Sequence, residues 1–76
     1  MVTEFPAHSG TPTHAEIIAR NGGSAKVART IGEDPNNVKG WKRLDSIPAA
    51  HWRKMVEFGL ASYIELARAA EAKRAA

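Results

Sequence analysis

Cysteine is absent from this 76-residue chain, which excludes a disulfide framework and any thiolate metal site. Aromatic residues are few: two Trp, two Phe and one Tyr. No apolar run approaches the length of a secretory signal or a membrane span, so the cytoplasm is the expected location. No segment alternates apolar and polar residues as a half-buried strand does. Catalytic patterns are missing too: there is no nucleophile with a base partner, no glycine-rich phosphate loop and no paired carboxylates. His8, His14 and His51 lack metal-ligand spacing and carboxylate or thiolate companions. An enzyme, a cofactor and a metal are therefore not expected. A chain this short buries only about 60% of the surface its unfolded form exposes. Its stability must come from tight helix packing, a partner chain, or both.

The charge that is present is unevenly spread. Arg20, Lys26, Arg29, Lys39, Lys42, Arg43, Arg53 and Lys54 face only three acids, Glu33, Asp34 and Asp45, in the segment from Arg20 to Lys54, a net +5. The remainder, with three basic residues and five acids, is −2. A basic centre of this kind is the electrostatic footprint of a polyanion binder.

Punctuation along the chain predicts an all-α fold, a compact bundle of four to five helices. Residues 1–12 hold Pro6, Gly10 and Pro12 without periodicity and read as a flexible arm in which Phe5 packs at most locally. Thr13 and Glu16 form a capping box for a first helix reaching about Asn21, and Gly22-Gly23 ends it. Ser24 is expected to cap a second helix whose inner face is Val27, Ala28 and Ile31. Gly32 stops that helix, Asp34 caps the next, and Pro35 suits its first turn because the missing N–H has no partner there. Val38 and Trp41 then make the inner face of a third helix, Pro35 to Arg43. Leu44 to Ile47 connects to a fourth helix opened by Pro48, running through Phe58 and stopped at Gly59. Ser62 and Glu65 form a second capping box, so a fifth helix starts at Tyr63. The expected core is Ile17, Ile18, Val27, Ala28, Ile31, Val38, Trp41, Leu44, Ile47, Trp52, Met55 and Val56, with Leu60 and Ile64 at its margin.

Helices two and three, joined by a tight turn over Ser24 to Arg43, have the spacing of a helix-turn-helix, whose second helix enters a DNA groove. Ala28 is small, as a close helix crossing requires. The order Gly22-Gly23-Ser24, Ala28 with Gly32, Asp34-Pro35, Val38 with Trp41, Ile47-Pro48 and His51-Trp52 resembles the small helix-turn-helix regulators of phages and prophages. More particularly it is similar to the Cro-like and YdaS-like group and the carph-isopro domain proteins, over about Ile17 to Gly59. The resemblance implies a lambda-repressor-like or Cro-like fold and a sequence-specific transcriptional regulator. Such proteins are usually repressors acting as homodimers on double-stranded DNA, and some are antitoxins. It also implies base reading by Pro35, Asn36, Asn37, Lys39 and Gly40.

The residues themselves suit that role. Asparagine pairs with the N6 and N7 edge of adenine, and lysine or arginine with O6 and N7 of guanine. Asn36 and Asn37 also fit plain turn and cap chemistry. Gly40 would admit a close approach to DNA or relieve crowding inside the protein. Lys26, Lys42, Arg43 and, less strongly, Arg29 are candidates for phosphate contact, as is the start of helix two at Ser24. The expected division is a DNA-binding domain over 13–60 and a C-terminal helix over 61–76. The apolar residues beyond the fourth helix, Phe58, Leu60, Tyr63, Ile64 and Leu66, would form a dimer surface. The competing reading keeps the fold as an interaction module docking on RNA polymerase, a toxin or another regulator, since a fold does not fix a function.

Overall fold

A computed structural model describes residues 12–75; the N-terminal arm expected at 1–12, with Phe5 and His8, otherwise lies outside them. The described residues are all-α: α1 His14–Arg20, α2 Ser24–Ile31, α3 Pro35–Leu44, a 3₁₀ turn Ala49–His51, α4 Trp52–Glu57 and α5 Tyr63–Ala75. Both capping boxes form. Thr13 Oγ1 accepts the Glu16 N–H at 3.1 Å while the Glu16 carboxylate accepts the Thr13 N–H at 2.8 Å. Ser62 and Glu65 repeat this at 3.1 Å in both directions.

Ser24 does not cap α2. Gly22 and Gly23 both have positive φ, and the Gly23 carbonyl accepts the Val27 N–H at 3.0 Å, so Gly23 is the cap and Ser24 the first helical residue. Gly32 closes α2 in the left-handed conformation at φ 75°, and the Glu33 N–H returns to the Ala28 carbonyl at 2.8 Å. This wrap-around bond turns the chain sharply into α3. Asp34 then caps α3, with Oδ1 accepting the Asn36 N–H at 2.8 Å.

Val27, Ala28, Ile31, Val38 and Trp41 enter the core with Ile17, Ile18, Ile47, Met55 and Leu66. Trp52, Val56 and Leu60 are partly buried against it. Leu44 is a correction: it is 58% exposed. Each three-residue step along a helix falls roughly 60° short of a full turn, so from Val38 through Trp41 to Leu44 the side chain drifts roughly 120° off the core direction. Leu66 is a second correction, fully buried rather than on a dimer surface, and Ala69 joins it three residues later. Ile64, two residues before Leu66, points the other way and is 63% exposed. The fourth helix is also shorter than expected. Pro48 is extended, and the His51 N–H bonds back to its carbonyl at 2.9 Å, so the segment begins as a 3₁₀ turn.

Polar side chains lock the helices together. His14 is buried on α1; Nδ1 accepts the Ile47 N–H at 2.8 Å and Nε2 donates to the Leu66 carbonyl at 2.9 Å. The Trp52 indole N–H donates to the Ile47 carbonyl at 2.8 Å, so both backbone groups of Ile47 are satisfied by aromatic side chains. Asp45 ends α3 in the left-handed conformation and accepts the Ala15 N–H at 2.8 Å, tying the end of α3 to the start of α1. Arg20 and Glu65 pair through two hydrogen bonds of 2.7 and 2.9 Å. Arg20 and Asn21 both also donate to the Leu60 carbonyl.

Candidate nucleic-acid interface

The candidate surface is the outer side of α3. Packing against α1 and α2 fixes that helix from behind, with Val38 fully buried and Trp41 8% exposed. Trp41 is thus core, as its spacing from Val38 predicts. Asn36, Gly40 and Arg43 share the side opposite Val38 and Trp41, and Lys39 stands beside them. Asn37 and Lys42 flank that side at its two edges. Pro35, Asn36, Asn37, Lys39, Lys42 and Arg43 are all exposed, and Gly40 is half-exposed.

Apart from its two chain neighbours and the backbone of α3 itself, no described heavy atom lies within 4 Å of the position a Cβ on Gly40 would occupy. Crowding against Leu44 or an earlier helix therefore does not explain the glycine. Without a side chain, Gly40 leaves bare backbone between Asn36 and Arg43 on the outer side.

Helix α2 contributes less. Ser24 is half-buried, and no side chain caps the N-terminal N–H groups beside it. Lys26 is exposed, with its stem laid over Gly22, where an added Cβ would fall 2.5 Å from Lys26 Cδ. Arg29 is exposed in the last turn of the helix.

Two acids stand at the start of α3, and both are engaged. Asp34 caps the helix as described. Glu33 Oε2 accepts the side-chain amide N–H of Asn37 at 3.0 Å and lies 3.9 Å from His51 Nε2. The His51 ring in turn stacks on Trp41 with centroids 4.6 Å apart. A carboxylate only accepts, so this contact orients the Asn37 amide with its nitrogen toward Glu33. Among the described residues the Asn36 amide makes no such bond. Sequence reasoning did not foresee the pairing; its only trace is the four-residue separation of Glu33 and Asn37, which puts them one turn apart.

An open groove of about 490 Å³ lies at the C-terminal end of α3, away from Asn36, lined in part by His14, Asp45, Trp52 and Lys73. Each of those four side chains makes a hydrogen bond within the fold, Asp45 through Oδ1 and the Lys73 ammonium to the carbonyls of Leu44 and Asp45. The described residues contain no group of three His, Cys, Asp or Glu placed to hold a metal ion, and no helix among them is long and apolar enough to cross a membrane. Compared with known proteins, the chain matches no family model, no curated protein and no solved structure.

Proposed function

We propose that the chain is a sequence-specific DNA-binding regulator of transcription, a repressor that lays α3 in the major groove of an operator. The observation that carries this reading is the outer side of α3. Amide and basic side chains surround a glycine at which an added Cβ would be crowded by none of the described side chains. Asn36, Asn37, Lys39 and Gly40, with Pro35 at the first turn, would meet base edges. Lys26, Lys42, Arg43 and the uncapped start of α2 at Ser24 would meet phosphates. The net +5 from Arg20 to Lys54 supplies the long-range attraction. A cytoplasmic, nucleoid-associated protein is the corresponding location.

One such helix gives a small footprint, about 600–1,000 Å² of protein surface for a single module. A homodimer reading two half-sites one helical turn apart supplies the rest. Phe58, Tyr63 and Ile64, at 54%, 51% and 63% exposure around the α4–α5 junction, are the large apolar side chains available for its interface.

Titration of a selected operator and a scrambled duplex with alanine variants tests the reading. Asn36→Ala and Lys39→Ala should each weaken operator binding by about 1–3 kcal/mol and leave scrambled DNA little changed. Lys42→Ala and Arg43→Ala should weaken both duplexes alike and flatten the salt dependence. Unchanged operator affinity in Asn36→Ala and Lys39→Ala would remove α3 as the reading element.

A further inference from the structure

We infer that Glu33 is a positioning residue for base recognition, fixing the Asn37 amide so that this position of α3 selects adenine. The inference rests on the DNA-binding reading above and names what one residue of that surface reads. A free asparagine side chain presents its oxygen or its nitrogen to a given point by a half-turn of the amide, and each orientation suits a different base edge. Asn37 is not free. One amide N–H is held by Glu33 Oε2 at 3.0 Å, and that oxygen can only accept. The second N–H and both lone pairs of Oδ1 remain, on a residue that is exposed. One donor beside one acceptor is the pattern that complements adenine, whose N7 accepts and whose N6 donates in the major groove.

Glu33 is itself held from behind. Its backbone N–H closes the turn on the Ala28 carbonyl at 2.8 Å. Its side chain is only 22% exposed, its carboxylate lies 3.9 Å from His51 Nε2, and the His51 ring packs at a tilt of 38° against the buried Trp41. The orientation of Asn37 is thereby referred to the core rather than to solvent. Asn36, one residue earlier, has its backbone N–H on Asp34 but no fixed amide, so it adapts where Asn37 selects.

A carboxylate beside DNA repels phosphate, so this arrangement trades affinity for selectivity, and the two effects separate on mutation. Glu33→Ala removes both the charge and the hydrogen-bond acceptor. Glu33→Gln removes the charge and keeps an acceptor oxygen. Wild type and both variants, with Asn37→Ala, are taken through selection from randomised duplexes. The winning duplex is then titrated with adenine or 7-deazaadenine at each adenine position. Circular dichroism confirms that each variant retains its helices.

The expected result is one adenine per half-site whose replacement by another base costs wild type about 5- to 150-fold. The 7-deaza analogue, lacking the N7 acceptor, should also weaken binding there. Asn37→Ala loses both effects at that position alone. Glu33→Ala loses most of the same preference while binding scrambled DNA as tightly as wild type or tighter. Glu33→Gln gains on scrambled DNA in the same way but keeps most of the preference. A loss of fold would lower binding to all duplexes and could not give this pattern. If wild type enriches no common sequence, the DNA reading and this inference fall together. If it enriches one but Asn37→Ala reads the same bases, the inference alone falls. If Asn37→Ala loses the adenine and Glu33→Ala keeps it, Asn37 reads without Glu33 and the positioning role is refuted.

Discussion

Replacing Gly40 with alanine should make this protein more stable and a worse DNA binder. Glycine in a helix interior costs about 1 kcal/mol relative to alanine, chiefly because the unfolded chain with glycine has more conformations to lose. Gly40 sits within α3, and beyond its chain neighbours and the backbone of that helix the added methyl would meet no described heavy atom within 4 Å. Nothing among the described residues then opposes the gain, and stability should rise by about 0.5–1 kcal/mol. In a domain of this size that lifts the melting temperature by roughly 2–8 °C. On the DNA side the methyl stands between Asn36 and Arg43, on the side of the helix proposed to lie in the groove. It would hold α3 off the bases and weaken contacts whose individual worth is about 1–3 kcal/mol, a loss of roughly tenfold or more. Thermal melts followed by circular dichroism give the first quantity, and operator titration gives the second. A variant that melts higher yet binds operator as well as wild type would show that α3 does not approach DNA at Gly40. One that melts lower would show that the side chain does meet the protein.

His14→Ala strands the Ile47 N–H in the core, whereas the Leu66 carbonyl, inside α5, loses only a second partner beside its helix bond. At about 1–3 kcal/mol for that unpaired group, against a total of about 3–5 kcal/mol for so small a core, it should lower the melting temperature by at least about 4 °C; a melt close to wild type refutes the role. Arg20, by its hydrogen bonds and its charge, and the Ser62 N–H hold the Glu65 carboxyl at a pKa of about 2, below its ordinary 4.5. Because the folded pKa is the lower, the contribution is complete above about pH 4.5 and is lost as pH falls toward 2. Solvent exposure of the pair limits it to about 1 kcal/mol. Arg20→Met should flatten that acid limb in urea titrations at stepped pH, and an unaltered limb would exclude the pair as its source. Deleting residues from Ser62 onward removes Leu66 and Ala69 from the core as well as Glu65, so the truncated chain should lose its cooperative melt. Ile64→Glu, which touches only exposed surface, should halve the mass seen by light scattering with the fold intact; an unchanged dimer moves the interface elsewhere.

Helices were legible where capping chemistry and apolar spacing agreed. Thr13 with Glu16, Asp34 with Pro35 and Ser62 with Glu65 mark three helix starts by side-chain reach alone, and each forms. The Ser24 cap failed because two successive glycines turn the chain so that the Gly23 carbonyl already accepts from Val27. Serine chemistry at that point competes with backbone freedom that only the three-dimensional path reveals. The buried side of α5 was hard to read for another reason. Alanine occupies so many positions that apolar periodicity scarcely distinguishes the side carrying Leu66 and Ala69 from the side carrying Ile64. For His14 a signal did exist: it stands three and four residues before Ile17 and Ile18, on their face of α1. What it bonds to, Ile47 and Leu66, comes from 33 and 52 residues away, and no local pattern encodes that. The exposure of the α3 residues followed from Val38 and Trp41, whereas the link from Asn37 through Glu33 to His51 depended on how the 3₁₀ turn packs beside α3.

The two acids at the start of α3 bear on how a basic segment becomes a selective one. Taken as formal charges, Glu33 and Asp34 oppose phosphate where the helix would approach DNA. Their hydrogen bonds alter that account. The Asp34 carboxylate accepts the Asn36 N–H, which offsets part of its charge against the positive end of the helix dipole. The Glu33 carboxylate accepts the Asn37 amide N–H and lies 3.9 Å from His51 Nε2. Each acid therefore acts on the asparagine that follows it, one by fixing a backbone and the other by fixing an amide. Charge along Arg20–Lys54 would bring any polyanion to this surface, and attraction of that kind does not discriminate between sequences. Discrimination requires donors and acceptors held at set angles. On the proposed reading Glu33 sets one such angle, that of the Asn37 amide, and its repulsion of phosphate would be the cost of the arrangement.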